Sequence, residues 1–267
     1  MSQQPVILIV THNHKQFLGP LIESCISLPH IKKYICDAAS SDGTNEELQK
    51  LIAGKHDFNL LSKNTLEGFS KNNNDLIHYY NLHNLPIILV NPDCSFSAQA
   101  FHKFVSIASS IENIGVAAPS LTYPNGTPQS SWRKFPTPYQ FINKRINAKI
   151  PDPGNHTTHE LLDSNYSIEW ALGAFLYVSH ELNTGSGVLD ERYRLYCEDP
   201  DICLTAHFRG KKVVGIPMEG IKHDLQQKSR AVFSKYSYWN IKSAILFALK
   251  WRGEYFNTLK KIRSNAF

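Results

Sequence analysis

The sequence predicts an α/β fold: a mostly parallel central sheet flanked by helices, followed by an amphipathic helical tail. Three observations lead to it. Short apolar runs alternate with helix-period stretches through the first 120 residues, no internal repeat interrupts them, and the last forty residues mix apolar side chains with lysines at helical spacing. Strands separated by helices of this length are joined by crossovers, which set the strands side by side and cover both faces of the sheet.

The elements follow in order. "PVILIVTH" reads as a buried strand, and a helix is expected around Phe17 to Ser27. "KKYICDAASSDGT" is a strand and a turn, and "NEELQKLIAG" a helix stopped by Gly54. "FNLLSK" is the third strand, "GFSKNNNDLIHYYNLH" a turn and a helix, and "LPIILVNPDCS" the fourth strand. Beyond Leu121 the pattern loosens. "YPNGTPQSSWRKFPTP" carries a turn at Asn125-Gly126 and an exposed-looking Arg133, and "IPDPGNHTTHELLD" reads as a long mobile loop. "IEWALGAFLYVSHEL" is expected as a buried strand or hairpin, "VVGIPME" as another strand, and the stretch from Trp239 through Trp251 as helix.

A chain of 267 residues with 42% hydrophobic and 19% charged residues is a folded protein with a sizeable core. Cys25, Cys36, Cys94, Cys197 and Cys203 form no CxxC pair or zinc spacing and read as reduced, partly buried thiols. The start "MSQQPVILIVTHNHK" lacks a basic leader, and no run reaches the roughly 18 apolar residues of a spanning helix. A cytoplasmic location is therefore expected. From Lys222 onward ten basic residues face only Asp224 and Glu254, a net +8, whereas the preceding 221 residues are net −3 within the total of +5. Charge so confined points to a tail that meets an anionic surface, phospholipid or nucleic acid.

Three loops follow strands, at Thr11–His14, Asp37–Thr44 and Asn91–Ser95. Ligands of open α/β sheets bind beyond the carboxyl ends of strands, so one crevice can hold all three. Neither GxGxxG nor GxxxxGK[ST] follows the first strand, which excludes standard dinucleotide and P-loop sites. Asp93 ends a strand, where a carboxylate can hold Mg²⁺ or Mn²⁺ against a diphosphate; it can equally cap the helix beginning near Ser97 or Ala98. Asp37 also ends a strand and can accept a pyrimidine N–H, while Asp42-Gly43 can be only a turn and helix start. Glu198, Asp199 and Asp201 crowd the start of a helix, with Asp199-Pro200 fitting an N-cap and N1. A carboxylate there stays favourable to the helix dipole and can also serve as a positioned base. His223 in "GIKHD" is either a structural histidine or a ligand.

Taken in order, Asp37, "VNPDCS", "EWALGAFLYV", "GVLDERYRLYCEDPDICLTAHFRGKKVVGIP" and "IKHD" resemble the motifs of family 2 inverting glycosyltransferases of the GT-A (Rossmann-like) fold, across Val6 to His223. "GFSKNNNDLI", "SSWRKFPTP" and "RAVFSKYSYWNIKSAILFALKW" look like bacterial rhamnosyltransferases of O-antigen and cell-wall polysaccharide assembly, which move L-rhamnose from dTDP-rhamnose to N-acetylglucosamine on a polyprenyl diphosphate. The resemblance implies a catalytic domain over 1–223, with a nucleotide-sugar half to about 120 and an acceptor half over 121–223, and a basic tail over 224–267. It implies Asp199 as the general base with Glu198 beside it. Thr11, Asp37, Asp42, Asn73, Asp93 and Arg133 would serve the donor; Trp170, Gly173 and Ala174 the acceptor; Asp93 and His223 a Mg²⁺ or Mn²⁺ ion. Where the family carries DxD this chain has Asn91-Pro92-Asp93, with one carboxylate instead of two. The basic tail then fits a helix in the headgroup layer at the inner face of the cytoplasmic membrane, near a lipid-linked acceptor, or an ordinary helix packed on the domain.

Two rivals remain within reach of the same residues. Another donor, such as a UDP-hexosamine, fits the same machinery. A sugar nucleotidyltransferase would carry a glycine-rich basic loop after the first strand, and "THNHKQF" is not one. Nucleic-acid binding would need a broader basic face than a tail, so no nucleic-acid partner is expected.

Overall fold

The computed structural model describes residues 3–135, 166–224 and 235–264. The expected loop over 150–163 lies outside the described residues. Strands β1 (Val6–Thr11), β2 (Lys33–Ala38), β3 (Phe58–Lys63) and β4 (Ile87–Val90) form the parallel half of an eight-stranded sheet, in the spatial order β3-β2-β1-β4. Between them run helices α1 (Leu18–Ile26), α2 (Thr44–Ile52) and α3 (Phe69–Tyr79). Alternation explains why both faces are covered. Ile7 and Ile9 point into one apolar cluster with Leu21 of α1 and Leu48 of α2, while Leu8 and Val10 point into another with Leu76 and Ile77 of α3.

The chain continues through β5 (Cys94–Phe96), α4 (Ala98–Ser110) and β6 (Ile114–Pro119). A hairpin of β7 (Leu121–Thr122) and β8 (Pro128–Gln129) turns at Gly126, whose φ of 84° suits glycine. Then come β9 (Trp132–Arg133), β10 (Tyr166–Ser167), β11 (Trp170–Ala171), β12 (Phe175–Val178), α5 (Glu198–Phe208), β13 (Lys212–Ile216) and β14 (Ile221–His223). The stretch expected as one strand or hairpin divides between two sheets. β11 pairs with β9, whereas β12 enters the centre of the large sheet antiparallel to both β4 and β6. β13 then pairs parallel to β6 and antiparallel to β10, closing the order β10-β13-β6-β12-β4.

The tail forms α6 (Lys235–Trp251) and α7 (Tyr255–Ser264), and it packs on the rest of the chain. Trp251 and Leu259 are buried in the same cluster as Ile202 and Leu204 of α5. Asp201, the third acid of the crowded segment, holds this junction. Its carboxylate accepts from Lys250 Nζ at 2.6 Å, Trp251 Nε1 at 2.7 Å and Tyr193 Oη at 3.1 Å. Arg263 of α7 donates to Glu169 at 2.8 Å and to the Phe135 carbonyl at 3.0 Å. Buried charge is tolerated in Asp201 because every oxygen finds a donor. No described helix is long and apolar enough to cross a membrane.

Candidate active site

The loops after β1 and β2 are stitched together. His12 Nδ1 donates to the Ala38 carbonyl at 2.8 Å, Asn13 N to Ser40 Oγ at 2.9 Å, and Ser41 N to Asn13 Oδ1 at 2.7 Å. Positive φ at Asn13 (56°) and Ala39 (54°) makes room for these crossings. Asp37 lies opposite Thr11 in the strand register and accepts from Ser40 Oγ at 2.5 Å; burial pushes its carboxyl upward, against those bonds. Thr11 is buried, with Oγ1 3.3 Å from His14 Nδ1. Asp42 accepts hydrogen bonds within the loop. Although burial opposes it, bonds from Thr44 and from Lys15 N at 3.2 Å hold its carboxyl below the usual range. Asn73 is buried, and its amide donates back to Phe69 O within α3 at 3.0 Å. The neighbouring Asn74 reaches outward instead, clasping Val188 N and Leu189 N, and leaves no space for a side chain at Gly187.

Asp93 does not cap α4. Ser97 does, its Oγ accepting from Ala100 N at 3.1 Å, which frees the aspartate. β5 pairs antiparallel with β14, placing Cys94 opposite His223 and drawing His223 Nε2 to 3.3 Å from Asp93 Oδ1. No hydrogen bond is formed there, and Asp93 Oδ1 is buried without a donor. An orphaned carboxylate oxygen beside an imidazole nitrogen is a fitting start for a hard cation site. Ligand atoms of Asp93, Cys94 and His223 lie within 4.8 Å of one another. Cys94 does not join as a thiolate. Burial pushes its thiol well up, and Sγ donates to Ala174 O at 3.3 Å. Two protein ligands suit Mg²⁺ or Mn²⁺ completed by diphosphate oxygens and water.

Asp199 lies in the first turn of α5. The helix start differs from the expected one. Tyr196 and Cys197 both take left-handed conformations (φ 70° and 69°), Cys197 is the N-cap, and Pro200 is the third residue of α5. Proline fits anywhere in a first turn, where N–H groups have no helical partner. Asp199 Oδ2 accepts from Gly173 N at 3.1 Å. Burial pushes Asp199 above the usual carboxylate range, against the lowering effects of that bond and of Arg133. Glu198 is pushed up further, by burial and then by the Asp199 charge, and its Oε2 is buried without a partner. Burial and mutual repulsion thus favour the neutral form of Glu198, while the Gly173 N–H and Arg133 favour the ionised form of Asp199.

Arg133 pairs across from Trp170 in the strand register, its guanidinium 5.2 Å from the indole ring. It thus sits beside Trp170 and within electrostatic reach of Asp199. Trp170 itself donates to Lys134 O at 3.1 Å. Ala174 O, meanwhile, accepts from Asn91 N at 2.8 Å and from Cys94 Sγ.

The profile of glycosyl transferase family 2 matches residues 6–162. Rhamnosyltransferase WbbL of Escherichia coli K12 is 25% identical over 259 residues, 92% of this chain and 93% of its own. The mannosyltransferase PcManGT from Pyrobaculum calidifontis, solved with GDP-Man and Mn²⁺, superposes with a TM-score of 0.59 at 13% identity, over 91% of this chain and 61% of that one. GalNAc-T7, solved with UDP, GalNAc and Mn²⁺, gives 0.65 at 14% identity, over 95% of this chain and 49% of that one. This chain therefore spans less than two thirds of either structure, and at these identities the likeness shows the GT-A fold alone.

Proposed function

The chain belongs to glycosyl transferase family 2, and from that premise we propose that it is an inverting enzyme moving L-rhamnose from dTDP-rhamnose to N-acetylglucosamine on a polyprenyl diphosphate. One observation carries the mechanism. Adjacent residues hold the two ends of the crevice: Ala174 O anchors the Asn91–Cys94 loop that presents Asp93, and Gly173 N anchors Asp199. A cation-binding carboxylate and a base so linked suit a single in-line displacement.

In that reaction Asp199 accepts the proton of the acceptor hydroxyl as its oxygen bonds to the anomeric carbon. The bond from that carbon to the nucleotide diphosphate breaks on the opposite side, with inversion. A divalent cation held by Asp93 and His223 would supply stabilisation of the leaving diphosphate charge. Burial favours the neutral form of Glu198, which would spare Asp199 a second charge beside it. The stitched loops with Asp37 would take the base and ribose of the donor.

The rhamnosyl donor is supported by the WbbL relative, and the lipid-linked acceptor by the tail. Tyr238, Ile241, Ile245 and Leu249 form an exposed apolar stripe along α6, and Phe256 on α7 is exposed as well, as are Lys242, Arg252, Lys260 and Lys261. An apolar stripe with exposed basic residues suits the headgroup layer of an anionic cytoplasmic membrane. The opposite side of α6 carries Ser243 and Trp251, already packed on the domain.

A transfer assay read by mass spectrometry tests the reading. Purified protein, Mg²⁺ or Mn²⁺, a synthetic N-acetylglucosamine diphospho-lipid and a panel of nucleotide sugars are combined. A gain of one deoxyhexose, only with dTDP-rhamnose and as the inverted anomer, is expected. Transfer from a UDP-hexosamine would overturn the donor, and retention of configuration would overturn the mechanism.

A further inference from the structure

Gln129 is buried on β8, 94 residues before His223 in sequence, yet its Oε1 lies 2.7 Å from His223 Nδ1. From this we infer that Gln129 is a positioning residue: its carbonyl fixes the ring of His223 as the tautomer that turns an unprotonated Nε2 toward Asp93 and a bound divalent cation. The inference rests on the cation reading above and adds to it a residue outside the crevice motifs.

The argument is one of proton placement. A histidine ligating through Nε2 must carry its proton on Nδ1, and that N–H needs an acceptor in a buried site. Gln129 Oε1 is that acceptor. The other end of the amide, Nε2, is buried with no protein partner, so no competing bond dictates which way the amide faces. Two arrangements are therefore linked. With Oε1 toward the ring, Nε2 of His223 is a lone pair; with the amide rotated, Nδ1 would accept and the ring's N–H would face Asp93 Oδ1 at 3.3 Å. A cation at Asp93 is compatible only with the first. The backbone holds Gln129 firmly for this: it pairs with Leu121 across the hairpin, and its carbonyl accepts from Ser131 Oγ at 3.0 Å.

The test measures binding, not turnover. Mn²⁺ affinity of the full chain is read by electron paramagnetic resonance, alone and with dTDP or UDP, for the wild type, Gln129→Leu, Gln129→Glu and His223→Ala. Leucine removes the acceptor, so binding should weaken about 10- to 100-fold, toward that of His223→Ala. Glutamate can only accept, so it should bind at least as tightly as the wild type, a rescue that loss of packing would not produce. Equal Mn²⁺ affinity in the wild type and Gln129→Leu overturns the role of Gln129 alone. No Mn²⁺ binding by the wild type under any condition overturns the cation site and this inference with it. Should Gln129→Leu fail to fold, ¹⁵N shifts of the His223 ring in the Mg²⁺-saturated wild type decide: a proton on Nδ1 is expected, and one on Nε2 refutes the assignment.

Discussion

Gly173 offers the sharpest test of how the base is held. A methyl group added there would lie 3.0 Å from Asp199 Cβ and 3.7 Å from both Cγ and Oδ2. Carbon atoms rest at about 3.5–4.0 Å, so Gly173→Ala creates an overlap of roughly half an ångström or more. The glycine's φ lies outside the left-handed region, so alanine adds no backbone strain of its own. Relief must come from the contact. Asp199 sits in the first turn of α5 and Gly173 in the link between β11 and β12, so each side yields part and the carboxylate moves by about 0.4 Å. If a displacement of about 1 Å costs about 10²-fold, the fall in kcat should be roughly sixfold, about 1 kcal/mol of barrier. Steady-state transfer kinetics with saturating donor read it, and dTDP affinity should be unchanged because the loops after β1 and β2 are untouched. A kcat within twofold of the wild type would refute Asp199 as the positioned base. A rise confined to the acceptor KM would instead make Gly173 a wall of the acceptor pocket.

The remaining expectations follow from other contacts. Asp199→Asn should lower kcat about 10²- to 10⁴-fold with nucleotide binding intact; near-normal turnover would move the base to Glu198. Because only ionised Asp199 can take the proton and its carboxyl is raised by burial, kcat/KM should fall as pH drops through a value above the usual carboxylate range of about 4. Arg133→Met removes a lowering charge and should shift that limb to higher pH, and an unmoved limb would place another group in control. Chelation of divalent cations should abolish transfer and added Mn²⁺ restore it, whereas full activity in excess EDTA would discard the role of Asp93 and His223. Asp201→Ala leaves the buried Tyr193 hydroxyl and Trp251 N–H without an acceptor, so urea unfolding should show about 2–4 kcal/mol lost; a change below about 1 kcal/mol would mean the tail docks without this carboxylate. Ile241→Glu with Ile245→Glu should weaken sedimentation with anionic vesicles at least about tenfold, and unchanged binding would remove α6 from the membrane contact.

Residues of the site divide by how local their signal is. Asp37 and Asp93 were readable because a strand followed by an acid is a local pattern, and the strands themselves follow from apolar runs bounded by turns. The acids at 198–201 were readable as a helix start, but not their separate tasks. Asp199 faces Gly173, Glu198 is buried with its carboxyl pushed up, and Asp201 latches the tail; adjacent positions differ because a helix turns each to a different neighbour. Arg133 comes to stand beside Trp170 and within electrostatic reach of Asp199 through the pairing of β9 with β11, which no local pattern gives.

What the sequence alone determined is the order and kind of the elements and the placing of acids at strand ends, because hydrophobic periodicity and turn residues act within a few positions of themselves. The tertiary structure decided the rest. The antiparallel insertion of β12, the meeting of Gln129 with His223 across 94 residues, and the bond from Lys250 to Asp201 across 49 all depend on sheet order and on which faces the helices cover. Such contacts arise between surfaces that only folding brings together, and no local pattern in the chain records them.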